Sequence, residues 1–316
     1  MSDSQNPIDR RTFVKLAATG PALAGLHPTT RTATLPAESN HRTAPAPGSQ
    51  TSFTFHSELS EAWYRGGAYF DWASTTPNNE GRTVSVFYRT FGSPSNPALI
   101  MLHGYPSSSF DFRQMIAHLE GDYFVAVLDF PGFGFSDKPQ DGYSYMLEDD
   151  ARLVDYFVRE ILGLSSFHLL THDRGGSVGF AFLGDYLDRD DPGYEINYHF
   201  ITNGGLFLPL ANLLDSQTRI LHPVEGPELI REMREEPRRT EGDPVRVAYT
   251  DIEAFNDGIG ARLHVGKYLL ERAANEYRWL DNLRVSPIPT ALVWGLTDPV
   301  NPVRIADHIW LEYLNH

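Results

Sequence analysis

Three short runs, "ALIML" (Ala98–Leu102), "YFVAVLDF" (Tyr123–Phe130) and "FHLLT" (Phe167–Thr171), are apolar almost throughout and show no alternation. A strand with one wet face alternates apolar and polar residues, so a run without alternation must be covered on both faces. Helix-periodic segments separate these runs: "FDFRQMIAHLEG" (Phe110–Gly121), Leu147–Leu164 and "GGSVGFAFLGDYL" (Gly175–Leu187). Strands regularly alternating with helices predict an α/β chain, with a mostly parallel sheet flanked by helices. "TVSVFYRTF" (Thr83–Phe91) alternates as a further strand, and Ile196–Gly205 and Thr290–Pro299 add two more.

The rhythm stops between 206 and 287, where the chain is charged, Tyr-rich and helix-like. That interval reads as a helical cap inserted between a first core part, 51–205, and a second, 288–316. Open α/β sheets bind ligands beyond the carboxyl ends of their strands, and the cap is expected there.

The ends of the chain and its composition narrow the partners. Arg10–Arg11 precede Thr12, Phe13, Val14 and Lys15, and then a run of small and apolar residues from Leu16 to Leu26. That run is too short to span a bilayer and has the form of a twin-arginine export signal, so 1–50 are expected to be a leader and linker of an exported protein. Nothing later reads as a membrane span. A net charge of −15 excludes a nucleic-acid partner, whose phosphates need a basic surface. With no cysteine there is no disulfide, no thiolate metal site and no cysteine nucleophile. No His/Asp/Glu grouping has metal-ligand spacing, and no cofactor is expected. The partner that remains is a small apolar organic substrate.

The candidate chemistry sits in "LLTHDRGGSVG" (Leu169–Gly179). A strand, a tight turn with Asp173 at its tip and a Gly-rich helix start have the form of a nucleophile elbow. Asp173 as a plain N-cap of the helix is the competing reading. A serine at such a tip attacks acyl carbons. A carboxylate can instead displace a leaving group at saturated carbon and form an alkyl-enzyme ester, which activated water later hydrolyses.

Further motifs decide between these. "HGYPSSS" (His103–Ser109) resembles the H-G-x-P turn of epoxide hydrolases and related haloalkane dehalogenases. "DFPGFGFSDKP" (Asp129–Pro139) resembles the D-x-x-G-x-G-x-S loop of the same α/β hydrolases, with Asp129 and Ser136 in structural roles. "WGLTDP" (Trp294–Pro299) resembles the strand end that carries their triad acid. Together with "TNGGLFLP" and "FNDG", the chain over 82–316 looks closest to the mesoderm-specific transcript group. The resemblance implies the α/β-hydrolase fold, Asp173 as nucleophile, Asp298 as triad acid, and the backbone N–H groups of Tyr105 and Arg174 as the oxyanion hole. It also implies a cap tyrosine that protonates the opening epoxide oxygen. Tyr268 stands where one is expected, and Tyr249 is the lesser candidate for a second.

Some positions depart from the pattern. Dehalogenases hold halide with a Trp after the nucleophile, and Arg174 stands there. Arg174 matches the first arginine of a fluoroacetate dehalogenase motif, but Ser177 replaces the second. The family's general-base His follows one more strand, and neither His308 nor His316 suits it, so no base is identified. His103 and His172 read as structural. The sheet is therefore expected to lack its last core strand and helix. Three functions stay open: epoxide opening by Asp173, carbon–halogen hydrolysis at the same residue, and an inactive hydrolase-fold protein that binds an apolar ligand.

Overall fold

The computed structural model describes residues 42–43, 53–79 and 81–314. The leader, most of the linker and His316 lie outside them. Among the described residues eight strands form one sheet: β1 (Arg42–Thr43), β2 (Ala68–Ala73), β3 (Thr83–Phe91), β4 (Ala98–Leu102), β5 (Phe124–Leu128), β6 (Ser166–Thr171), β7 (Glu195–Thr202) and β8 (Thr290–Val293). Their spatial order is β1-β2-β3-β5-β4-β6-β7-β8. Strands β1, β2 and β3 run antiparallel, and every pairing from β5 to β8 is parallel.

The missing alternation has the cause inferred from sequence. Along β4, Ile100 and Leu102 join one core while Leu99 and Met101 join another. The first core packs Ala126 and Leu128 of β5 against α3 (Leu147–Tyr156), α4 (Arg174–Leu187) and α9 (Tyr268–Val285), through Leu153, Val178 and Trp279 among others. The second packs Val125 and Val127 against α1 (Glu58–Arg65), α2 (Arg113–Leu119) and α7 (Pro244–Ala254), through Trp63, Ile116 and Ile252. Each such side chain stabilises the fold by about 1.5–3 kcal/mol relative to an exposed one.

Two helices differ from the sequence expectation. The one expected over Leu147–Leu164 is α-helical only to Tyr156, then widens by one residue per turn over Phe157–Ile161. The wider turn brings Phe157, Val158 and Ile161 all into the core. The one expected over Phe110–Gly121 begins as a tight turn, Ser109–Phe112, before α2.

Between β7 and β8 come α5 (Asp215–Arg219), α6 (Glu225–Glu235), α7, α8 (Gly258–Val265) and α9. Asp251 of α7 ties this excursion to the start of α1. Its carboxylate accepts the backbone N–H groups of His56 and Ser57 and the Ser60 hydroxyl, and pairs with Arg238 at 2.6 Å. The last described elements are α10 (Arg304–Ile309) and a wide turn at Trp310–Leu314. No helix among the described residues is long and apolar enough to cross a membrane.

The loop after β5 depends on Asp129. Its carboxylate, fully buried, accepts the N–H groups of Ser109 and Phe135, each at 2.8 Å, while the Ser136 hydroxyl donates to its carbonyl. Replacing the carboxylate with an amide turns one accepting oxygen into a donor facing a donor. Asp129→Asn is therefore expected to lower unfolding stability by about 2–4 kcal/mol. Urea denaturation followed by circular dichroism measures it, and a change below about 0.5 kcal/mol contradicts this role.

Candidate active site

Strand β6 ends at Thr171 and α4 begins at Arg174, so His172 and Asp173 must reverse the chain in two residues. Asp173 does so at φ 52° and ψ −116°, a conformation costly for any residue with a Cβ. The reversal brings neighbouring backbone against it. A Cβ on Gly104 would stand 2.4 Å from the Asp173 Cβ, and one on Gly204 would stand 2.8 Å from its Cα. Only glycine fits at both places. Asp173 makes no side-chain cap bond to the helix, so the N-cap reading does not describe it. Its carboxylate turns instead to the loop after β4, where the Tyr105 N–H donates to Oδ1 at 2.8 Å. Among the described residues Oδ2 has no protein partner. The other expected donor, the Arg174 N–H, makes no bond to this carboxylate.

The two histidines of the motif turns hold backbone. His103 is buried; its Nδ1 donates to the Gly104 carbonyl at 2.9 Å and its Nε2 accepts the Phe130 N–H at 3.0 Å. Burial lowers its pKa, which suits this neutral tautomer. The Thr202 hydroxyl donates to the Thr171 carbonyl, so it accepts from His172 Nδ1 at 2.9 Å. A third imidazole, His199 on β7, contacts the Thr171 hydroxyl at 3.0 Å, and burial pulls its pKa down to about 3. His308 lies on α10, its ring stacked 4.1 Å from that of Phe207. Among the described residues no imidazole bonds to Asp173 or Asp298.

Asp298 follows β8 and is firmly held. Its Oδ1 accepts the N–H groups of Val300 and Asn301 at 2.9 and 2.8 Å, and its Oδ2 accepts the Asn203 amide at 2.8 Å. Asn203 also carries the elbow, since its carbonyl accepts the Asp173 N–H at 2.8 Å. One residue at the end of β7 therefore links the two carboxylates through its backbone and its side chain.

Tyr268, the first residue of α9, is buried with its ring 5.4 Å from that of Tyr105. Burial raises its phenol pKa, the Arg272 charge works against that, and Asp173 adds to it. Among the described residues its hydroxyl has no hydrogen-bond partner. Two guanidinium groups lie over its ring, Arg272 at 4.8 Å and Arg174 at 5.6 Å. Arg272 donates to the Ser177 hydroxyl at 2.8 Å and the Gly205 carbonyl at 2.9 Å. Arg174 points inward to Asp150 at 2.5 Å and is fully buried, so its charge is not offered to a ligand. Tyr249 is committed elsewhere: its hydroxyl donates to Asp111 at 2.9 Å and accepts from Arg113 at 3.0 Å. No group of three or more His, Asp or Glu residues with metal-holding geometry occurs among the described residues.

Comparison with known proteins agrees with the fold. Residues 97–192 match the family model described as the alpha/beta hydrolase fold. LipZ of Mycobacterium tuberculosis is 34% identical over 231 residues, covering 70% of this chain and 78% of its own. The chain belongs to the α/β-hydrolase family. The human mesoderm-specific transcript homolog is 30% identical over 259 residues, 74% of this chain and 75% of its own. Among solved structures, haloalkane dehalogenase DbeA of Bradyrhizobium elkani superposes with a TM-score of 0.58 at 20% identity, covering 78% of this chain and 86% of that one. At that identity the likeness is one of fold.

Within this hydrolase the sequence reading passed over three residues. Asn203 stood in the quoted "TNGG" without a role, although a polar residue before two glycines at a strand end was a usable signal. Arg272 lies four residues after Tyr268, hence on the same helix face. Asp150 looked like one of several acids opening a helix, and nothing local marks it as the partner of Arg174.

Burial pushes Asp150 up to about 7, against the pull of Arg174. An unfolded Asp titrates near pH 4 (about 3.9). The folded state therefore binds the extra proton between those limits. The stability this contributes is fully present below about pH 4 and is lost as pH rises through about 7. Wild type should lose stability relative to Asp150→Asn across that window, by at most about 1.4 kcal/mol per pH unit. Denaturant midpoints of both proteins at several pH values measure this, and parallel profiles contradict it.

Proposed function

We propose that this α/β hydrolase opens epoxides, with Asp173 as nucleophile and Tyr268 as proton donor. The observation that carries the reading is the division of labour at the Asp173 carboxylate. Oδ1 is held by the Tyr105 N–H, while Oδ2 has no protein partner among the described residues. A carboxylate fixed by one oxygen keeps the other for attack. Oδ2 forms a bond to an epoxide carbon, the C–O bond of the ring breaks, and its electrons stay on the oxygen. That oxygen takes the Tyr268 proton, leaving a hydroxyalkyl ester of Asp173. A phenol with raised pKa keeps its proton until the alkoxide forms, and two cations against its ring offset the charge it then carries.

The ester is hydrolysed when water adds to its carbonyl. The oxygen that becomes negative is then the one facing the Tyr105 N–H. Deprotonating that water needs a base, and among the described residues no imidazole stands against Asp298. The alkyl-enzyme ester is therefore the species to look for first.

Carbon–halogen hydrolysis begins with the same attack, and a relative in the solved structures is named as a haloalkane dehalogenase. Here the side chain after the nucleophile is Arg174, turned away to Asp150, so it gives a departing halide nothing to bind. An epoxide oxygen, which needs a proton, fits Tyr268 better.

Peptide mass spectrometry and diol analysis after incubation with styrene oxide test the reading. One substrate mass should appear on a peptide containing Asp173, or diol should accumulate. Asp173→Asn should give neither, and Tyr268→Phe should react about a hundredfold more slowly. Labelling or diol formation undiminished in Asp173→Asn contradicts the assignment. Release of halide from 1-chlorobutane without any reaction of styrene oxide favours the dehalogenase alternative.

A further inference from the structure

A cavity of about 130 Å³ opens beside Tyr105, between the loop after β4, the loop after β5, and helices α7 and α8. Tyr105, Phe133, Ile252 and Val265 give it apolar walls. An engineered apolar cavity of about 150 Å³ takes up benzene, so a space this size suits one ring-sized group. Tyr105 belongs both to this cavity and to the site, because its N–H holds Asp173. Its hydroxyl feels Arg262 and Glu253 from the cavity as well as Asp173.

The wall also contains Lys138, only 7% exposed. Its ammonium donates to the carbonyls of Gly134 at 2.5 Å and Ser136 at 3.2 Å. An ammonium has three donors, so one is left without an acceptor among the described residues, and the Phe255 ring lies 5.3 Å from the nitrogen. Among the described residues no carboxylate comes within the 4.0 Å of an ion pair. Asp129, Asp137 and Asp257 act on it from farther away, and burial outweighs them. A buried cation without an ion partner is costly, and the cost falls when an anion fills the space beside it. Arg262 lines the same cavity; it pairs with Glu253 through one Nη, while among the described residues the other meets only the Met233 sulfur at 3.9 Å.

We propose that this cavity binds the carboxylate end of the substrate, with Lys138 as the recognising cation and Tyr105, Phe133, Ile252 and Val265 around a compact apolar body. Resting on the reading of Asp173, this narrows the substrate class to epoxides that carry a carboxylate on a ring-sized group. Arg174 does not take that role, because its guanidinium is already bound to Asp150. Lys138 is free to take it.

Two probes of the same shape, 4-(oxiran-2-yl)benzoate and its neutral primary amide, test the proposal by their relative rates of Asp173 labelling. Wild type should favour the carboxylate about tenfold or more. Lys138→Met should bring the ratio to within about threefold, and Lys138→Arg should keep the preference. The ratio is internal to each protein, so partial misfolding of a variant does not imitate the result. A wild-type ratio near one, or a preference that survives Lys138→Met, overturns the anion site while leaving the nucleophile standing. If neither probe labels Asp173 or gives diol, the nucleophile reading fails by itself. Saturation-transfer NMR with benzoate then decides the anion site: signal in wild type that vanishes in Lys138→Met supports it, and equal or absent signal in both overturns it.

Discussion

A strand covered on both faces can show polar groups to a ligand only at its ends. Strands β4, β5 and β6 are in that position here, and each carries a functional or supporting turn at its carboxyl end: Tyr105 after β4, Asp129 after β5, Asp173 after β6. Adjacent parallel strands fix the relative heights of these turns through their registers, as with Leu102 opposite Thr171. Tyr105 and Asp173 therefore meet because β4 and β6 are neighbours. The glycines follow from the same closeness: Gly104 and Gly204 stand where any side chain would collide with Asp173.

The parts of this arrangement that sequence made legible are those set by local chemistry. Unalternated apolar runs announced buried parallel strands, and a strand, Thr171, Asp173, Gly175 and a helix announced the elbow. The order of strands was not legible, since β5 lies between β3 and β4 and nothing local encodes a crossover. The buried ions were equally hidden. Arg174 and Asp150 are 24 positions apart, and Ser177 and Arg272 are 95 apart. Each reads as an ordinary polar residue until the packing of α3, α4 and α9 brings its partner.

Those long-range pairs join the helical excursion to the elbow. Arg272 bonds both the elbow helix, through Ser177, and the turn after β7, through Gly205, while its charge lies over Tyr268. Tyr268 is thereby placed against Tyr105 by the same residue that offsets the charge on its phenol. A bond of this kind is worth little on the surface, but burial makes its loss expensive because the remaining groups are left unpaired. Movement of α9 and movement of the phenol relative to Asp173 are for that reason the same event.

The cations near the site divide by what binds them and by whether they line the cavity. Arg174 has Asp150, and Arg272 is bound to a hydroxyl and a carbonyl; neither lines the cavity, and both act on Tyr268 through the field. Among the described residues Lys138 has carbonyls but no anion, and it lines the cavity. In a chain of net charge −15, long-range attraction does not bring a carboxylate to such a site. Short-range desolvated contact has to do it, and that works only for a ligand whose apolar body fits the walls while its charge reaches the ammonium. Selectivity there would come from shape and one charge acting together, which explains why neither the cavity nor the lysine alone identifies the ligand.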